Sequence, residues 1–134
     1  MDTLTRAQRS SLMSKVRSAW TGPEKRLYGA MREAGLRPRP HDAQLPGRPD
    51  FVFDRQALAV MVEGCFWHKC PAHYKRPKSN VAFWDDKVAC NVRRDRRNRR
   101  KLAAMGIRVL RVWEHSLRTA DSARGVAEAV RRRL

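Results

Sequence analysis

Apolar residues recur at helical spacing over residues 23–35, where Leu27, Ala30, Met31 and Ala34 form one stripe. Pro23 suits a first helical position and Gly35 a C-terminal stop, so a helix is predicted there. Glu24 falls on the same inward face, either as part of a site or as a first-turn acid favoured by the helix dipole. Ahead of it, residues 1–20 are polar and basic. Thr5 to Gln8 fits a capping box that opens a short helix to about Val16, marked by Leu12 and Val16 alone, and reads as an arm that packs poorly by itself. Residues 36–49 hold four prolines and read as a loop. Then Phe51-Val52-Phe53, a turn around Arg55-Gln56 and an apolar run over 57–63 predict a β-hairpin. Residues 64–79 are irregular. Residues 81–104 form one long basic helix ending before Gly106, residues 107–113 a strand, and residues 121–134 a last basic helix. This order, without a repeat, predicts an α/β fold: a central mixed sheet flanked by helices.

Composition narrows the function. A chain of 134 residues fits one domain, 1–134, with residues 1–20 as its basic arm. Thirty Lys and Arg against 13 Asp and Glu give a net charge of +17, which predicts a polyanionic partner. Four Trp, four Phe and clear apolar strands argue against disorder. No apolar run approaches the roughly 18 residues of a membrane span, and the N-terminus lacks the apolar stretch of a signal peptide. The expected partner is therefore nucleic acid rather than a membrane. The expected location is cytoplasmic, bacterial-type and nucleoid-associated. Three cysteines near histidines favour an intracellular metal site over disulfides.

The hairpin predicts a pair of acids. With the turn centred between Gln56 and Ala57, Asp54 faces Ala59, Val52 faces Met61, and Asp50 faces Glu63. Directly opposed side chains lie about 5 Å apart. Two carboxylates that close raise each other's pKa, and a divalent cation such as Mg²⁺ removes the penalty. A one-residue register error would put them on opposite faces. Pro49-Asp50 followed by Glu63 resembles the PD-(D/E)XK nuclease pattern, although the position two after Glu63 is Cys65 rather than Lys.

Cys65, Cys70 and His73 have spacing suited to tetrahedral Zn²⁺, with Cys90, His68 and His115 as candidates for the fourth ligand. A closed four-ligand site would be structural, an open one catalytic; unbound, reduced cysteines are the alternative. Phe66, Trp67 and Trp84 stand near Lys69, Lys75, Arg76 and Lys78, a combination suited to stacking on bases or wedging between them, or else to packing under the loop. The basic run over residues 93–101 suits phosphate contact. Its one acid, Asp95, falls on the inward face and could orient a histidine such as His68 or pair with an arginine.

Several stretches taken together resemble the very short patch repair (Vsr) endonucleases: Leu45-Pro46-Gly47-Arg48-Pro49-Asp50-Phe51-Val52, Gly64-Cys65-Phe66-Trp67-His68, Phe83-Trp84, Lys87, Asn91-Val92, Arg94-Asp95-Arg96, Arg108-Val109-Leu110 and Val112-Trp113-Glu114. The likeness runs from about Ser10 to Leu117. It implies a restriction-endonuclease-like fold with a structural zinc, and an enzyme that nicks 5′ of the thymine in T:G mismatches left by deamination of 5-methylcytosine. By matched position, Asp50 would be the principal Mg²⁺ ligand, helped by the main-chain carbonyl of Val62. His68 would be the catalytic histidine, supported by Asp95 and Glu24. Cys65, Cys70, His73 and His115 would hold Zn²⁺. Phe66, Trp67 and Trp84 would insert beside the mismatch, and the arm around Met13 would embrace the DNA. Glu63 stands where the family's usual pattern has a histidine, so a share in Mg²⁺ binding is expected of it; His115 stands where that pattern has a cysteine. The expected partner is double-stranded DNA with a T:G mismatch, bound by a monomer, with mismatch-repair proteins as candidate partners. The alternatives are a broader-specificity restriction-like nuclease and a non-catalytic zinc-stabilised DNA-binding module.

Overall fold

Thr21 opens the first helix, α1 (Gly22–Glu33), in a computed structural model that describes residues 20–65 and 67–134. Its hydroxyl accepts the Glu24 N–H at 3.3 Å, and the Glu24 carboxylate accepts the Thr21 N–H at 3.3 Å. This reciprocal cap starts the helix one residue before Pro23. The predicted arm, with its helix over 5–16 and Met13, lies outside the described residues.

The proline-rich stretch is not all loop. Arg39–Pro40 forms a short strand, β1, at the edge of a four-stranded sheet of order β1-β2-β3-β4. Pro40 has no N–H to give a ladder, and an edge is where a sheet tolerates that. β2 (Phe51–Phe53) runs antiparallel to β1 and to β3 (Leu58–Glu63). A long helix, α2 (Val81–Ala104), then crosses over to β4 (Arg108–Trp113), which lies parallel to β3. A 3₁₀ turn (Glu114–Leu117) leads to α3 (Ala120–Arg132). The architecture is a mixed α/β sheet with helices. Among the described residues no helix is long and apolar enough to cross a membrane.

Alternation along the strands divides the core. Phe51, Phe53, Leu58, Val60 and Val112 pack with Leu27 and Met31 of α1, Leu117, and Ala123, Ala127 and Val130 of α3. Val52, Ala59, Met61 and Glu63 point to the other face, where α2 lies with Val88 and Leu102 buried. Gly47 holds the preceding loop against this layer. Its φ is +78°, and a Cβ there would come within 3.0 Å of Met61 Cε and 3.1 Å of Asn98 Cβ, so only glycine fits.

The hairpin register corrects the predicted one. Phe51 pairs with Val60, Val52 with Ala59 and Phe53 with Leu58, so Asp50 does not face Glu63. The error came from Ala57. It is not in the strand but in the left-handed region (φ 52°), closing a turn in which its N–H donates to the Asp54 carbonyl at 3.3 Å. Each predicted partner is displaced by two residues. An even shift keeps every side chain on its predicted face, and both acids still line one small cavity.

Phe51 ties this frame to the site: it is fully buried, lies next to Asp50 and stacks on Tyr28 at 5.7 Å between ring centroids. Phe51→Ala should cost about 3–5 kcal/mol in urea denaturation; a loss under about 1 kcal/mol would contradict this packing.

Candidate functional site

Two sites sit on either side of the end of β3. In the loop that follows it, the Cys70 N–H bonds to the Cys65 carbonyl at 2.8 Å, and the Cys65 N–H bonds to Glu114 Oε1 at 3.1 Å. This coil brings together Cys65, Cys70, His73 and, from beyond β4, His115, with all four donor atoms within 4.8 Å of one another. His115 Nδ1 lies 3.3 Å from Cys65 Sγ and 3.7 Å from Cys70 Sγ, and His73 Nδ1 lies 4.0 Å from Cys70 Sγ. A tetrahedral site with ordinary zinc bond lengths has edges of ~3.5 Å, so the donor set fits Zn²⁺. Burial lowers the pKa of His115, favouring the neutral ring that a metal ligand requires. Cys90 is excluded from the cluster: it is exposed on α2 and receives a hydrogen bond from Arg93 at 3.2 Å. His68 belongs to the other site.

That second site contains two clusters. Glu24, His41 and Asp50 form one; Glu63, His68 and Asp95 form the other. Asp50 follows buried Pro49, and its Oδ2 accepts the Val62 N–H at 2.7 Å. Burial pushes its pKa up to about 8; the hydrogen bond and charge of Glu24 add to the rise, the Val62 N–H opposes it, and the Glu63 charge adds a little more. Glu24 is buried, and its Oε2 also meets His41 Nε2 at 3.1 Å. Its capping role and its place in the site are therefore compatible. Across a cavity of about 60 Å³ shared with Asp50, His68 Nδ1 and Asp95 Oδ2 are 2.5 Å apart. Asp95 thus takes the histidine rather than an arginine. Glu63 is nearly fully buried, and its Oε2 accepts from Arg111 Nε at 2.7 Å.

A wider groove of about 260 Å³, lined by Trp67, His68, Lys87, Asn91 and Arg94, opens beside the histidine. Trp67 meets Trp84 edge-on at 6.0 Å, and Phe83 meets Trp84 at 5.0 Å with more than half its surface exposed. The predicted aromatics thus gather at this groove, except Phe66, which lies outside the described residues. His41 and Arg111 were not singled out from sequence. His41 follows the two-residue edge strand, and its own N–H donates to the Asp50 carbonyl at 2.8 Å, continuing the β1–β2 pairing. Arg111 depends on a parallel register between β3 and β4 that no local pattern reveals.

Comparison with known proteins gives a consistent result. The family model described as DNA mismatch endonuclease Vsr matches residues 1–74. The DNA mismatch endonuclease Vsr of Escherichia coli is 42% identical over 118 residues, covering 87% of this chain and 76% of that protein. Type II nicking enzyme V.NaeI of Lentzea aerocolonigenes is 41% identical, with 81% and 69% covered, and type II nicking enzyme V.XorIIP of Xanthomonas oryzae is 41% identical, with 87% and 86% covered.

The packing of Asp50 predicts a pH effect on stability. The folded pKa of about 8 lies above the ordinary 3.8. Between those values the folded chain keeps a proton that the unfolded chain has released, so stability falls as pH rises through the window. In magnesium-free buffer, Asp50→Asn should therefore be more stable than the parent at pH 7, with a smaller gain at pH 5. A parent more stable than the variant at pH 7 would contradict the assignment.

Proposed function

The chain belongs to the Vsr family of DNA mismatch endonucleases and is a DNA-nicking endonuclease, and from that premise we propose that it nicks 5′ of the thymine in T:G mismatches in a Mg²⁺-dependent reaction. The observation that carries this reading is the half-buried Asp50 carboxylate, crowded by Glu24 and sharing a cavity with the His68–Asp95 pair. Hard oxygen donors whose mutual repulsion raises a pKa suit Mg²⁺. Asp50 would hold the ion together with the main chain of Val62; Glu63 has the smaller share because Arg111 already neutralises it. When bound, Mg²⁺ supplies charge stabilisation at the scissile phosphate and the leaving oxygen. Asp95 engages His68 Nδ1, leaving Nε2 to take a proton from the attacking water. Glu24, fixed by its cap on α1 and by His41, holds the acid side of the site in place.

The zinc is structural in this reading: Cys65, Cys70, His73 and His115 fill four positions, leaving none for water. The restriction-endonuclease-like domain spans residues 1–134, with residues 1–20 and Met13 as an arm on the DNA. Phe66, Trp67 and Trp84 wedge beside the mismatch, where unstacking costs least. The enzyme acts as a cytoplasmic monomer on double-stranded DNA, with mismatch-repair proteins as candidate partners. Two relatives are named type II nicking enzymes, with no mismatch in the name, and the second reading is a restriction-like nicking activity of broader specificity. The third, a non-catalytic DNA-binding module, is set aside by membership of an endonuclease family.

The deciding experiment compares nicking of T:G and T:A duplexes with identical flanks in Mg²⁺. The rate on T:G should be higher by at least about tenfold, given unstacking costs of a few kcal/mol; equal rates would favour the second reading. Trp67→Ala should weaken T:G binding more than T:A binding while leaving the salt dependence nearly unchanged, and equal losses would make Trp67 a packing residue. Purified protein should contain about one zinc per chain, and Cys70→Ser should leave it protease-sensitive. An intact fold without zinc would overturn the structural role.

A further inference from the structure

His68 and Asp95 also line a second cavity, which Asp50 does not line. It measures about 250 Å³, and Lys69, Arg96, Arg99 and Arg111 converge on it from the loop after β3, from α2 and from β4. Two of its cations are notable for how they are held. Arg111 is fixed on both sides: its Nε donates to buried Glu63 at 2.7 Å, and its guanidinium lies over the Trp113 ring at 4.7 Å. Arg99 has the opposite problem. Its Nη1 is buried and has no hydrogen-bond partner among the described residues. Burial and the Arg111 charge lower its pKa, and the nearby charges of Glu63 and Asp95 only partly offset them. Asp95 is engaged with His68, and Glu63 with Arg111. An orphaned donor among like charges is costly unless an acceptor reaches it.

We propose that this cavity is a phosphate-binding site, in which Arg96 and Arg99, with Arg111 set by Glu63, hold a phosphate of the DNA strand next to the one being cut. A tetrahedral anion with several acceptor oxygens can meet guanidinium groups arriving from different directions. The proposal deepens the nicking reading and rests on it for the identity of the strand, but not for the anion. His68 and Asp95 form the wall between this cavity and the one that holds Asp50. A phosphate seated here would therefore fix the strand on the far side of the histidine. Glu63 is a positioning residue in this scheme, acting through Arg111. The phosphate in question is an internal phosphodiester, since the terminal phosphate left by a nick is the one being cut.

The test uses the full zinc-loaded chain and inorganic phosphate at constant ionic strength. Phosphate should raise the melting temperature of the parent and of Arg132→Ala, an exposed cation of α3, but not that of Arg96→Ala or the Arg96→Ala/Arg99→Ala double variant. Arg96 is exposed, so the single variant keeps the test valid if the double variant fails to fold. No stabilisation of the parent, or equal stabilisation of the parent and Arg96→Ala, overturns the proposal. On DNA, Arg96→Ala should make the dependence of log affinity on log salt shallower by about 0.9. Loss of the phosphate effect in Arg96→Ala from a protein that does not nick T:G duplexes sinks the proposed function and leaves this site standing. Normal nicking with an unchanged salt slope does the reverse.

Discussion

Two carboxyl groups, buried Glu24 and half-buried Asp50, are packed together at one end of the sheet, and the rest of the site is arranged around them. Neither can be moved cheaply. Glu24 is needed to cap α1, and Asp50 takes the Val62 N–H at the point where the chain enters β2. Burial makes ionisation of Asp50 costly, and Glu24 makes it costlier. A purely structural site would replace one of them with a neutral side chain. Retaining both fits a place where positive charge arrives later, brought by a cation.

The remaining charges are settled locally. Asp95 is paired with His68, which fixes the ring and its tautomer, and Glu63 is paired with Arg111. This division corrects the expectation that Glu63 stands directly across from Asp50. Glu63 spends its charge on the strand beside it, and so helps set the cationic wall behind the histidine. The acid cavity and the basic cavity share the His68–Asp95 pair, an order suited to a backbone that carries several phosphates in a row.

Much of this was legible in the chain. The helical stripe of Leu27, Ala30 and Met31, the hairpin, the long basic helix and the following strand all follow from periodicity, and the structure places them close to their expected bounds. The Cys65, Cys70, His73 spacing marked a Cys/His cluster able to hold a metal, and the resemblance singled out His115 among the candidates for its fourth member. What sequence did not reveal depended on backbone geometry or on long-range register. Ala57 reads as strand because it is apolar, yet it adopts a left-handed turn and shifts the pairing by two residues. Pro40 reads as loop because it breaks ladders, yet at an edge it pairs and carries His41 to Glu24. Arg111 looks like any solvated cation until the parallel register sets it beside Glu63.

The claim that the packed Asp50 and Glu24 carboxyls await a cation is tested most directly by counting protons released when Mg²⁺ binds. Titration calorimetry at pH 7 in buffers of different ionisation heats measures that number. A carboxyl with a pKa near 8 is mostly protonated at that pH, so the parent should release close to one proton per Mg²⁺ bound, and Asp50→Asn should release none. Mg²⁺ binding by the parent without proton release would contradict the account.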